Sequence, residues 1–358
     1  MTREYQALFA LVRAGLWGRY DEAMASAFPL SSESWERVFA LARQQTVTGV
    51  TFRGLDFLPE EVAPPMGLTA KWMAYADRIE QGNRKVNSVL SRMCAHFAES
   101  GAKVVLQKGP GVAAMYPEPY LREFGDIDLF FPDCDGESDP LEGIPSAVKE
   151  ARPDASWEYV VGGVVVERHT YLVDIQSPCA KKYVAGLIEE KGYESLCIDG
   201  CEVLVPAPEV NLLLLSAHIL KHAFGVGIGL RQLCDMAVAS RYYSDRVNRQ
   251  EMHEIYRQAG LEKWSGLLEG FLAEYLGLEV EGTGEEKCVK KSRILLDIIL
   301  KGGNFGRFKG KKGFASDGSS LRMLRTLESF LENTRFALTY APGEWLWTMA
   351  QLAGGRMR

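Results

Sequence analysis

Residues 104–131 read VVLQKGPGVAAMYPEPYLREFGDIDLFF, and this stretch decides the fold. Val104–Leu106 is a short apolar strand, followed by a Lys108-Gly109 turn. Pro110 stands where the first helical residue belongs, because a helix has no use for an N–H at that position. A second strand then carries Asp126 and Asp128 behind Gly125. Alternate residues of a strand share a face, so Ile127 turns to the buried side and both carboxylates converge on the other. Carboxylates held in parallel repel each other unless a cation sits between them, and Mg²⁺, which prefers oxygen ligands and accompanies phosphates, is the expected one. A strand-to-helix turn offers backbone N–H groups and the positive end of a helix dipole, both suited to phosphate. Lys108 adds a point charge, and Gly125 lets the backbone approach a ligand closely. The plain alternative for a D-x-D is a solvated strand edge. Its apolar neighbours Phe124 and Ile127 argue against that.

Outward from this stretch the texture is helical on both sides. Apolar residues recur at helical spacing through residues 1–100, with a long helix from about Leu68 to Ser100 that Gly101 ends. Beyond the acidic pair, Asp133–Asp139 reads as a loop. Trp157–Val161 and Val164–His169 are strands joined by a Gly162-Gly163 hairpin turn. Tyr171–Ile175 extends or follows the second of these, and Cys201–Val205 is a further strand. From Glu209 the helical period returns, with later helices near Ser265–Leu276, Ser292–Leu300, Leu321–Leu338 and Gly343–Leu352. The fold class is α+β: a small mixed sheet flanked by N-terminal and C-terminal helical regions. The expected division is 1–100 helical, 101–208 α/β core and 209–358 helical.

Composition sets outer limits. With 358 residues the chain suits two or three domains, and 47% hydrophobic against 25% charged residues is ordinary for a globular protein. A net charge of −6 argues against coating nucleic acid by bulk electrostatics. Seven scattered cysteines suit reduced thiols in the cytoplasm better than disulfides, and Cys197-x3-Cys201 lacks a second pair for zinc. Neither an export signal nor a membrane-length apolar run is visible.

The quoted stretch resembles the L-K-G, Y-P-x-P, R, G-D-I-D signature of an uncharacterised nucleotidyltransferase-like family in the DNA polymerase β-like superfamily. Residues 214–239, LLSAHILKHAFGVGIGLRQLCDMAVA, resemble that family's helical segment with its histidine, arginine and aspartate. The resemblance implies a nucleotidyltransferase-type sheet and transfer of an NMP from an NTP to a hydroxyl, with release of pyrophosphate. It implies Mg²⁺ or Mn²⁺ held by Asp126, Asp128 and a third acid. Glu167, in VVVERH, is favoured over Asp174, in YLVDIQ, and the strand alternation puts His169 on the same face as Glu167. Two such metals stabilise attacking and leaving oxygens of an in-line displacement. Phosphates are expected over Lys108, Gly109 and Gly111, with Arg122, Gly125 and His169 beside them. Better-known relatives carry Gly-Ser where this chain has Lys108-Gly109, so lysine and backbone N–H groups have to replace the serine.

Other pairs read more plainly. His218 and His222 share a helix face as core or site-lining histidines. Arg231 and Asp235 have the spacing of an intrahelical ion pair. Lys301–Lys312, KGGNFGRFKGKK, is basic and glycine-rich without P-loop spacing. The acceptor is a small molecule, a protein hydroxyl or an RNA end. The competing class is a catalytically inactive nucleotide- or partner-binding protein on the same fold. A glycosyltransferase also uses D-x-D, but it calls for a longer parallel α/β domain ahead of the motif than these helices provide.

Overall fold

Among the described residues seven strands form one mixed sheet: β1 (Val105–Leu106), β2 (Asp126–Phe130), β3 (Val148–Ala151), β4 (Trp157–Val161), β5 (Val164–His169), β6 (Tyr193–Ile198) and β7 (Cys201–Pro206), in the order β3-β4-β5-β2-β1-β7-β6. The structure, a computed structural model, describes residues 1–20, 22–134, 140–141, 144, 148–151, 157–225, 227–279, 285–302 and 333–353. β2 runs antiparallel to β1 and parallel to β5, and β1 runs parallel to β7. The Gly162-Gly163 turn closes the β4–β5 hairpin with φ of 58° and 75°, values that a side chain rarely adopts.

The helices are α1 (Arg3–Trp17), α2 (Ser32–Gln44), α3 (Thr48–Leu55), α4 (Met66–Ser100), α5 (Pro110–Ala113), α6 (Pro178–Lys191), α7 (Pro208–Phe224), α8 (Leu230–Tyr242), α9 (Arg249–Gln258), α10 (Glu262–Leu276), α11 (Glu285–Gly302), α12 (Thr334–Tyr340) and α13 (Pro342–Ala353). The result is α+β, with helices before and after the sheet. Gly101 ends α4 in the left-handed conformation, φ 71°. The basic segment 303–312 and the Asp135–Asp139 loop lie outside the described residues.

α4 has two jobs. Its C-terminal half lays Val86, Val89, Leu90, Met93 and Phe97 against Ile127, Leu129, Val164 and Val166 of the central strands. Each such buried side chain contributes about 1.5–3 kcal/mol by burial. Its N-terminal half packs Trp72 against Trp35 and Phe39 of α2. A second core joins α1 to α7, α8 and α10, with Phe9 against Phe271 and Trp17 Nε1 donating to the Leu276 carbonyl at 2.6 Å. The N-terminal and C-terminal helices therefore share one core.

The chain differs from expectation in several places, among them a strand at Val148–Ala151 and a helix at Arg249–Gln258 that the apolar pattern did not indicate. Tyr171–Ile175 is irregular rather than a strand. Residues 178–198 supply a helix, α6, and a strand, β6, beyond those the apolar pattern indicated. The β6–β7 turn is Asp199-Gly200, φ 49° and 80°, which places Cys197 and Cys201 in one hairpin, both as free thiols.

Candidate functional site

The central strands divide their side chains cleanly. Ile127, Leu129, Val164 and Val166 face α4, so Asp126 and Asp128 of β2, and Glu167 and His169 of β5, emerge on the other face. Because β2 and β5 are parallel and in register, Asp128 pairs directly with Glu167 while Asp126 pairs with Val165. One ligand atom each from Asp128, Glu167 and His169 lies within 4.8 Å of the others. Asp126 stands outside that close group, one alternation back along the strand, but lines the same cleft of about 330 Å³.

Asp128 is buried and its Oδ1 is the hub. His169 Nε2 donates to it at 2.6 Å, and the Lys108 ammonium lies 3.0 Å away. Burial alone raises a carboxyl pKa, but Lys108 and then His169 outweigh it and hold Asp128 well below the usual range. Glu167 goes the other way. Burial, then the neighbouring charges of Asp128 and Asp126, push it up to about 7. A carboxylate this crowded by negative charge fits a site built around a cation. The donor set of two carboxylates and one imidazole, with a third carboxylate nearby, suits a divalent ion, and its imidazole suits Mn²⁺ better than Mg²⁺.

The Lys108 turn is clamped from behind. Gly109 adopts φ 53°, ψ −118°, and a Cβ there would sit 3.0 Å from the Asp126 carbonyl. Only glycine fits comfortably. Arg122 is buried and binds Asp235 of α8 through two bonds, Nε and Nη2 at 2.6 and 2.7 Å, while Nη1 donates to the Gly109 carbonyl at 3.2 Å. Tyr116 donates its hydroxyl to the same Asp235 at 2.7 Å, and its own pKa is driven up by burial and then by that carboxylate. From the far side, Asn83 of α4 donates to the carbonyls of Tyr120 and Arg122, each at 2.7 Å.

Seven of the nine residues singled out in the sequence line the cleft: Lys108, Gly109, Arg122, Asp126, Asp128, Glu167 and His169. Two have other settings. The Gly111 N–H is taken by the Lys108 carbonyl at 3.0 Å, and a Cβ there would press on Leu106 at 3.3 Å, so this glycine allows α5 to pack on the sheet. α5 also has only four residues, too few for a strong dipole. Gly125 is exposed, with open space where a Cβ would go. Arg122 spends its donors on protein, which makes it a support of the turn. Asp174 lines the cleft too, but pairs with Lys221 and accepts from Gln176. Against its burial, Lys221 lowers its pKa.

Asp235 corrects one expectation: its partner is Arg122, not Arg231, which instead donates to the Glu123 carbonyl at 2.7 Å. His218 and His222 are cleft-lining, with rings 4.5 Å apart between centroids. Glu158 of β4 was not singled out, yet it is buried and sits opposite Glu167 in the hairpin. The two-residue turn fixes that pairing, so the register was there to be read.

The sequence model of the uncharacterised nucleotidyltransferase family matches residues 31–277, which include the acidic strands, the clamped turn and both cleft-lining helices. The chain belongs to the uncharacterised nucleotidyltransferase family. Its match runs from α2 to the end of α10, so this nucleotidyltransferase-family unit includes helices on both sides of the sheet. No curated protein matches the chain. Among solved structures it is similar to an antigenic nucleotidyltransferase-like protein from Paracoccidioides brasiliensis, at 13% identity, over 57% of this chain and 97% of that one, with a TM-score of 0.37. A likeness that slight transfers no detail to this family member. Among the described residues no helix is long and apolar enough to cross a membrane.

Proposed function

We propose that the chain is a metal-dependent nucleotidyltransferase that moves an NMP from an NTP to a hydroxyl acceptor. The observation that carries this is the register of β2 and β5, which sets Asp128 beside Glu167 with Asp126 on the same face of the cleft. Asp128, Glu167 and His169 would hold Mg²⁺ or Mn²⁺, with Asp126 completing the acidic rim. A divalent ion bound there supplies positive charge for the phosphates at the reacting phosphorus. Lys108 offers a second positive charge at the mouth of the Gly109 turn. Asp128, kept ionised by Lys108, serves as a fixed anchor. Glu167, on the cleft face beside Asp128, is the carboxylate placed to receive the acceptor hydroxyl proton.

The transfer balances simply. The acceptor oxygen bonds to the α-phosphorus, the bond to the β-phosphate oxygen breaks with its electron pair, and pyrophosphate leaves. Positioning and charge neutralisation carry the rate, with no covalent enzyme intermediate. The acceptor is a small molecule, a protein hydroxyl or an RNA end. Cys94, Cys134, Cys179, Cys197, Cys201 and Cys234 are outside any disulfide, which fits a reducing, cytoplasmic setting.

Incubation of candidate acceptors with each NTP and Mg²⁺ or Mn²⁺, read by mass spectrometry, tests the proposal. Wild type is expected to add one NMP, and Asp126→Ala/Asp128→Ala none. NTP binding by wild type with no product in any mixture would instead assign the fold a binding role.

A further inference from the structure

Across the cleft from the carboxylates stand α7 and α8, and the charge pattern there is unlike that of the acidic wall. Arg231, in the first turn of α8, lines the cleft with His218 and His222 of α7. Its Nη1 donates to the Glu123 carbonyl at 2.7 Å, and its Nε is buried with no hydrogen-bond partner. Among the described residues it forms no ion pair. Its neighbour Arg122 is the contrast, gripped by Asp235 through two short bonds. Arg231 is half-buried and feels Asp235, Asp126 and Glu123 without pairing with any of them, and a buried donor left without an acceptor calls for a reason.

The surroundings supply one. Lys108 and Lys221 line the same cleft, so Arg231 shares it with two other cations. The two histidines contribute hydrogen bonding without charge. Burial, and then Lys108, hold His218 well below its ordinary value, while burial and then Lys221 push His222 down to about 3. The wall thus offers a fixed guanidinium and neutral imidazoles facing the acids that would hold the metal.

We propose that Arg231, with His218 and His222, forms an oxyanion subsite that receives the terminal phosphates of the NTP and holds pyrophosphate as it leaves. This rests on the nucleotidyl-transfer reading and names the part of the substrate that the α7–α8 wall takes. As the bond from the α-phosphorus to the bridging oxygen breaks, negative charge collects on pyrophosphate. The Arg231 Nε–H then gains the acceptor it lacks, and such a charge-assisted bond is stronger than a neutral one.

Calorimetric titration of the full chain with inorganic pyrophosphate in EDTA isolates the subsite, and Mn²⁺ uptake by electron paramagnetic resonance reports the acidic wall separately. Wild type is expected to bind pyrophosphate, and Arg231→Gln to bind it about tenfold or more weakly, the scale of one charge-assisted hydrogen bond. Arg231→Lys should recover part of the loss, which a merely structural role would not do, and His218→Asn should weaken binding severalfold. Mn²⁺ uptake should be unchanged in all three variants, which also shows that they are folded. Pyrophosphate should be displaced by α,β-methylene-ATP. No binding by wild type, or equal binding by Arg231→Gln, would overturn the subsite. Simultaneous binding of pyrophosphate and the ATP analogue would overturn its assignment to the leaving group and point to a phosphorylated acceptor. Pyrophosphate binding that depends on Arg231, beside a failure of Mn²⁺ uptake, would leave the anion subsite standing and remove the transfer reading.

Discussion

Glu167 concentrates the chemistry at the residue scale. Its pKa, raised to about 7 by burial and by Asp128 and Asp126, lies above the unfolded value of 4.5. Between these values the folded state binds the extra proton, so stability falls as pH rises from about 4.5 through 7 and the full cost is present above 7. Glu167→Gln is therefore expected to stabilise the metal-free protein at pH 8 by on the order of 1–3 kcal/mol, allowing for the partial exposure of the side chain. The gain should vanish at pH 4, which urea unfolding at the two pH values checks. The same substitution should abolish NMP transfer. Because metal binding needs the ionised carboxylate, Mn²⁺ affinity of wild type should climb as pH rises through about 7 and then level off, whereas Glu167→Gln should lose that rise. Asp126, Asp128 and Lys108 were legible in the sequence because two short-range rules, strand alternation and turn chemistry, place them. The pairing of Asp235 with Arg122 was not, because it joins residues 113 positions apart while Arg231 lies at a spacing that local rules favour.

At the scale of elements, the turn between β1 and α5 and the loop into β2 decide where Lys108 points. Asp235→Asn removes the charge that pairs with a buried Arg122. It is expected to cost about 3–5 kcal/mol, measured by denaturant unfolding, and to weaken turnover as the Gly109 turn loosens. The glycines separate two roles. Gly109→Ala brings a Cβ to 3.0 Å from the Asp126 carbonyl at a positive φ and should cost about 1–3 kcal/mol. Gly125→Ala meets open space, so its stability should be that of wild type. A loss of nucleotide affinity in Gly125→Ala would then report contact with the ligand itself. The β4–β5 hairpin was readable from Gly162-Gly163, and its register carries Glu158 to Glu167. The β6–β7 hairpin had an equally good Asp-Gly signal at Asp199-Gly200, but the polar Glu194-Ser195 pair within Tyr193–Ile198 hides an edge strand from a reading tuned to apolar runs.

At the scale of the whole molecule, the helices were legible one by one and their joint core was not. Helical periodicity shows that a face is apolar without showing what covers it. Phe9 of α1 packs on Phe271 and Tyr275 of α10, so the first and last helical regions stabilise each other. Phe9→Ala should cost about 3–5 kcal/mol and lower the unfolding midpoint reported by tryptophans in both regions together. Independent transitions would contradict the shared core. That core fixes α7 and α8 opposite the sheet, and α4 fixes the sheet from behind, so the cleft has two walls held by different parts of the chain. The account as a whole stands on those acids taking up a divalent ion. Direct titration of the full chain with Mn²⁺, with and without α,β-methylene-ATP, tests that claim. Saturable uptake that the nucleotide analogue strengthens and Asp128→Asn removes is the predicted result. No uptake under either condition, or uptake equal in wild type and Asp128→Asn, would contradict it.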